Sequence, residues 1–215
     1  MLYLLGDLHG GEDMAGLERY LREPHDDDLL LLLGDLSLFF APTEENRRFT
    51  EWFLSLKLPI AFIDGNHENH PWLRRFPIEN VFGAPAHRLT EHIVYLKRGE
   101  IYTIGGKRFF VMGGCKSSAK WAKMGLAYEG EVPSEDEIEQ GYGALAQSGN
   151  KVDFVLTHKY LASSSDAPRG TLEGLTHYID TEVDFTHWYC GHWHRNEQID
   201  DRHTTVFDRA VALQL

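Results

Sequence analysis

The first third of the chain alternates short unbroken apolar runs with longer amphipathic stretches. Leu2 to Leu5, Leu29 to Leu33 and Ile60 to Ile63 carry apolar side chains without interruption, the pattern of a parallel strand buried on both faces. Between them, helical spacing runs near Met14 to Arg22 and from Glu44 to Leu56. Thr43 is positioned as an N-cap with acids in the first turn behind it. This order predicts βαβαβ, with right-handed crossovers covering the sheet.

From Ile93 to Gly113 the period changes. Val94 to Leu96, Ile101 to Ile104 and Arg108 to Met112 are separated by the turn signals Arg98-Gly99 and Gly105-Gly106, which predicts an antiparallel meander. Ser134 with Glu137 matches a capping box opening a helix to about Gln147. Val152 to Leu156 then predicts a strand ending at His158, and His187 to Cys190 another. Glu197 to Ile199 with Thr204 to Phe207 reads as a closing hairpin, and Ala210 to Leu213 as a last strand. The expected fold class is α/β: a two-sheet mixed β-sandwich flanked by helices, built on an N-terminal βαβαβ unit, with residues 1–215 as a single domain.

Composition narrows the partners. With 215 residues, 42% of them hydrophobic, the chain can bury one full core. Its 33 Asp and Glu against 21 Lys and Arg give a net charge of -12, a field that repels phosphate backbones and anionic membranes. Generic nucleic-acid or membrane binding is therefore not expected, although bound divalent cations could still attract a single phosphate. Cys115 and Cys190 stand far apart without a CxxC spacing, so no disulfide framework is implied and a reducing cytoplasm is the expected location. The apolar run at Met1 to Leu5 has no basic flank and is too short for a signal or a membrane span.

The chemistry sits in five polar clusters, each at or just after the end of an apolar run: Asp7-Leu8-His9, Gly34-Asp35, Gly65-Asn66-His67-Glu68, Thr157-His158 and Gly191-His192-Trp193-His194. In open α/β sheets, ligands gather outside the carboxyl ends of the strands, so these clusters can converge in space. Asp7 with His9, and His192 with His194, share an i,i+2 spacing that can point two donors into one crevice. Asp35 can bridge two cations, because a carboxylate offers two oxygens and about four lone-pair sites. Asn66 adds a neutral carbonyl oxygen. Taken singly, each aspartate could be a helix cap and each histidine a satisfied loop residue; as a set they read as a hydrolytic metal centre.

In order and spacing, these segments resemble the calcineurin-like metallophosphoesterase superfamily, whose pattern is D-x-H, GD, GNH[ED], H and GHxH. The resemblance covers essentially the whole chain. It implies that Asp7, His9, Asp35 and His194 hold one divalent metal ion, and that Asp35, Asn66, His158 and His192 hold a second. His67 would be the catalytic histidine. The mixed nitrogen and oxygen donors favour manganese, iron, zinc, cobalt or nickel over an all-oxygen calcium or magnesium cage without choosing among them, and manganese is the expected ion for a member of this superfamily. Such a pair leaves a net positive pocket, lowers the pKa of a bridging water and clamps phosphoryl oxygens, so hydroxide is the expected nucleophile with His67 as general acid or transition-state stabiliser. Glu68 is expected to hold the loop.

One departure from the family matters. The protein serine/threonine phosphatase branch carries GDxxDRG, in which the second aspartate orients the catalytic histidine and the arginine grips phosphate. Here the segment runs Gly34-Asp35-Leu36-Ser37-Leu38-Phe39-Phe40, which points to a small generic phosphatase or phosphodiesterase acting on a small phosphoester. Lys116, Lys159 and Arg169 follow strand ends and are the candidate substrate contacts. Other motifs fail on context: Gly141 to Ala146 fits a loose GxGxxA inside a helical pattern, His67 to His70 lacks the HExxH gap, and no P-loop or GxSxG elbow exists. Cys190 reads as a buried small hydrophobe at a strand end. The competing functions are a binding scaffold that keeps the fold without turnover, and a nuclease, for which this acidic chain lacks a basic track.

Overall fold

A computed structural model describes every residue except 24, 26, 27, 162 and 163. Two mixed sheets pack face to face. The first has seven strands in the order β13-β1-β2-β3-β6-β5-β4: β13 Val211–Leu213, β1 Leu2–Leu5, β2 Leu29–Leu33, β3 Ile60–Ile63, β6 Ile93–Leu96, β5 Ala84–Arg88 and β4 Ile78–Val81. The second has six, β11-β12-β10-β9-β8-β7: β11 Glu197–Gln198, β12 His203–Thr205, β10 His187–Cys190, β9 Phe154–Thr157, β8 Lys107–Met112 and β7 Glu100–Ile104. Strands β1, β2, β3 and β6 run parallel, as do β8, β9, β10 and β12.

The unbroken leucine run explains the layering. Along β2, Leu31 and Leu33 face the other sheet with Leu4, Ile63, Phe109, Val111 and Leu156, while Leu30 and Leu32 face Leu17, Phe49, Phe53 and Phe62. Side chains alternate faces along a strand, so one apolar run fills two cores. The outer cores are closed by helices: α1 (Ala15–Leu21) and α2 (Glu44–Ser55) on the first sheet, and α5 (Glu135–Gln147) and α6 (Leu172–Glu182) on the second. Short helices α3 (His70–Leu73) and α4 (Ala119–Lys123) lie in the loops after β3 and β8.

The cap signals form as read. Thr43 accepts from the Asn46 amide, and Ser134 and Glu137 make both bonds of the capping box. The meander does not form as a whole. Strands β7 and β8 pair antiparallel, but β6 pairs with β3 in the other sheet, so Arg98-Gly99 is a crossover between sheets. Local turn signals mark a change of direction and do not say which sheet receives the next strand.

Candidate metal centre

All five clusters meet at one end of the sandwich, where the parallel strands of both sheets finish. The loops after β1 and β2 are tied in step: Asp7 N donates to Gly34 O (3.1 Å), His9 N to Asp35 O (2.9 Å) and Gly10 N to Leu36 O (3.0 Å). Gly191 N donates to His158 O (2.9 Å) and joins the second sheet's loops in the same way. Among the described residues, five of the nine non-glycine positions with positive φ are candidate donors, namely Asp7, His9, Asp35, His192 and His194, at 45° to 69°. Each such conformation costs roughly 1 to 3 kcal/mol and persists only where the surroundings enforce it. Two glycines make room: a Cβ on Gly65 would run into the Asp35 carboxylate, and one on Gly34 would meet the His158 ring.

The donor atoms form two overlapping groups. In the first, Asp7, His9 and His194 present ligand atoms within 4.8 Å of one another, His9 Nε2 lies 2.8 Å from His194 Nε2 and 3.7 Å from Asp35 Oδ2. In the second, His158 Nε2 lies 3.4 Å from Asp35 Oδ1, 3.3 Å from Asn66 Oδ1 and 3.2 Å from His192 Nδ1. Asp35 touches both groups, one oxygen toward each.

The surroundings aim these donors. His158 Nδ1 donates to Leu33 O at 2.8 Å, which turns Nε2 toward the centre. Asp7 accepts from His192 N at 3.0 Å with each oxygen, and Asp35 Oδ1 accepts from His67 N at 2.7 Å. Glu68 is fully buried and accepts from Leu36 N (2.8 Å) and Ser37 N (3.2 Å), pinning the loop that carries Asp35. Asp64, directly before the Gly65 to His67 turn, is buried against Arg98, which bonds both its oxygens and also Glu137 Oε2 and Gly130 O.

Without cations the centre is electrostatically frustrated. Burial pushes Asp7 up to about 7, and burial pulls His9 down to about 4 and His192 down to about 3. Burial disfavours a charged His158 and a charged Asp35, yet each outweighs it for the other: His158 is held well above the imidazole range and Asp35 well below the carboxylate range. Two cations among these groups would reverse that balance, because a bound ion is the largest local charge. The donor set therefore fits a pair of divalent metal ions.

His67 sits beside the first group with its ring against aromatic side chains. Phe40 stacks on it at 5.1 Å and 8°, and Trp121 and His9 meet it edge-on at 4.6 Å and 5.0 Å. Burial lowers its pKa. Position 38 is a buried leucine, and the contacts of the His67 ring are these aromatic ones. Phe40, Trp121 and Leu126 also line the cleft over the centre, about 680 Å3, together with Glu12, Asp13 and Glu45.

The candidate substrate cations lie elsewhere. Lys116 and Lys159 line a separate cavity of about 280 Å3 with Cys115, Thr171 and Leu172, and Lys159 Nζ sits 5.2 Å over the Trp193 ring. Arg169 covers the Tyr142 ring at 4.2 Å and pairs with Glu139. The loops after β8 and β9 turn these side chains to the flank of α6, so none of the three lines the metal cleft. Sequence reasoning passed over Cys115, whose Sγ lies 3.0 Å from Asn66 Oδ1; its place just past β8 was the available signal. It also passed over Arg98, read only as part of a turn.

Among the described residues, no helix is long and apolar enough to cross a membrane. A sequence model of the calcineurin-like phosphoesterase family matches residues 2–196. No curated protein matches the chain.

Proposed function

The chain belongs to the calcineurin-like phosphoesterase family, and from that membership we propose that it hydrolyses a small phosphate ester with two divalent transition-metal ions. Asp7, His9, Asp35 and His194 would hold one ion, and Asp35, Asn66, His158 and His192 the other. When bound, such a pair supplies Lewis acidity to the phosphoryl oxygens and lowers the pKa of water. The observation that carries this reading is the Asp35 carboxylate, with one oxygen 3.7 Å from His9 Nε2 and the other 3.4 Å from His158 Nε2.

His67 is the proposed proton donor to the leaving oxygen. Its ring is fixed by Phe40 and Trp121 and faces the cleft beside His9.

The cleft walls bear on the ester class. Among the described lining residues there is no lysine or arginine, and Glu12, Asp13 and Glu45 stand at the rim. A phosphomonoester dianion would meet the metal ions and a protonated His67 as counter-charge, with these three carboxylates opposing it at the rim. A singly charged diester loses less there and can lay an apolar arm on Phe40, Trp121 and Leu126. We therefore favour a small phosphodiester. Metal-loaded protein should hydrolyse bis(para-nitrophenyl) phosphate with a higher kcat/KM than para-nitrophenyl phosphate; the reverse order would remove the diester reading. The alternative of a metal-binding scaffold without turnover predicts no hydrolysis of either ester under the same conditions.

A further inference from the structure

Cys115 is a metal-type donor at this centre that the eight-contact assignment above leaves unused. The strand β8 ends at Met112, and Gly113 and Gly114 turn the chain so that Cys115, three residues past its strand, reaches the same end of the sandwich as Asp35 and His158, two and one residues past theirs. Gly114, at φ +75°, donates its amide to Asp64 O at 2.8 Å, which locks the turn against the loop that carries Asn66. The side chain is 3% exposed.

Four donor atoms converge there. Cys115 Sγ lies 3.0 Å from Asn66 Oδ1 and 3.8 Å from His192 Nδ1, while His158 Nε2 lies 3.3 Å from that same oxygen and 3.2 Å from that same nitrogen. The ligand atoms of Cys115, His158 and His192 all fall within 4.8 Å of one another. Nitrogen and sulfur donors that sit about 2.0 to 2.3 Å from one cation stand about 3 to 4 Å from each other, and these separations match that spacing. The Asn66 amide is oriented for it: Nδ2 donates to Ser117 Oγ at 3.2 Å, leaving Oδ1 toward the sulfur and His158.

We propose that Cys115 is a further ligand of the second metal position, bound as a thiolate. The metal–sulfur bond forms as the S–H bond breaks, and the proton leaves to solvent. The two positions then differ in kind. The first offers only nitrogen and oxygen, whereas the second carries sulfur and selects a thiophilic ion such as zinc or iron over manganese. This rests on the two-metal reading above. The competing occupation of the thiol is a simple hydrogen bond to Asn66 Oδ1.

Cobalt(II) distinguishes them. Wild-type protein loaded with cobalt should show a sulfur-to-cobalt charge-transfer band in the near ultraviolet. The band should persist in Cys190→Ala, whose sulfur lies against Thr204 O, and vanish in both Cys115→Ser and Cys115→Ala. In competition between zinc and manganese, wild type should retain zinc at one position, and Cys115→Ser should lose that zinc preference roughly tenfold or more. Full cobalt loading without a sulfur band, or a band that survives both Cys115 variants, overturns the proposal and leaves the two-metal reading standing. A wild type that binds no cobalt overturns both. Circular dichroism of the two Cys115 variants separates loss of a ligand from loss of fold.

Discussion

Replacing Arg98 with methionine should unfold this protein more readily than any change on its surface. The Arg98 and Asp64 side chains are both fully buried. Nε of Arg98 lies 3.2 and 3.0 Å from the two Asp64 oxygens, Nη1 lies 3.0 Å from Glu137 Oε2, and Nη2 bonds Asp64 as well as Gly130 O at 2.8 Å. Methionine fills the volume and removes every donor. Asp64 would keep His70 Nε2, at 3.2 Å, as its remaining side-chain partner. Stripping one partner from a buried ion pair costs about 3 to 5 kcal/mol, because a charge is left without compensation. For a domain of this size that is a fall in Tm of about 6 to 20 °C. Arg98→Met combined with Asp64→Leu should fall less far than the two single losses added together, since the orphaned charge is gone. Burial opposes the Asp64 charge, but Arg98 outweighs it and holds the carboxyl well below the usual range. That stabilisation is present above the ordinary carboxylate pKa and is lost only in strong acid, so the penalty should be full at pH 7. Thermal and urea unfolding of metal-free protein at pH 7 read it directly. A loss under about 1 kcal/mol for Arg98→Met would refute the reasoning.

Metal loading at pH 6 should release protons, because Asp7 at about 7 and His158, held well above the imidazole range, are both protonated in the metal-free protein and must lose those protons to ligate. Calorimetry in buffers of different ionisation enthalpy should count about two from these groups. Asp7→Asn should lower the count by one, affinity should fall as pH drops below 7, and no release at all would contradict the assignment. Phe40→Leu removes the ring stacked on His67 and should lower kcat roughly 10- to 100-fold with metal content unchanged; an unchanged kcat would show that His67 is positioned by something else. Glu68→Ala orphans the amides of Leu36 and Ser37 and should cost about 2 to 5 kcal/mol in urea unfolding, while a silent variant would mean that the Asp35 loop holds itself.

Much of this architecture is legible in residue order, and the remainder fails for identifiable physical reasons. The runs at Leu2, Leu29 and Ile60 gave β1 to β3 because a strand buried on both faces needs nothing beyond its own residues to announce itself. The β4–β5 hairpin went unread: Ile78, Glu79 and Asn80 are exposed, and Pro77 and Pro85 interrupt any strand pattern. Helix α6 was passed over too, since Gly174 and two threonines weaken its helical signal. Strand β6 was read as a strand but given to the wrong sheet, because sheet membership is decided by side chains distant in sequence. The donors at the strand ends follow from a rule of place. Arg98 did not, because its value comes from meeting Asp64, 34 positions away. Cys115 obeyed the same rule of place as the histidines and was passed over for want of a familiar spacing.

The central claim is that two metal ions, shared through Asp35, are what make this chain hydrolytic. Metal-free protein should be titrated with a divalent transition ion while hydrolysis of bis(para-nitrophenyl) phosphate is followed, beside Asp35→Asn. Activity should rise from background to a plateau at about two equivalents per chain and stay at background in Asp35→Asn. Hydrolysis that is independent of added metal, or that survives Asp35→Asn at the wild-type rate, would contradict the account.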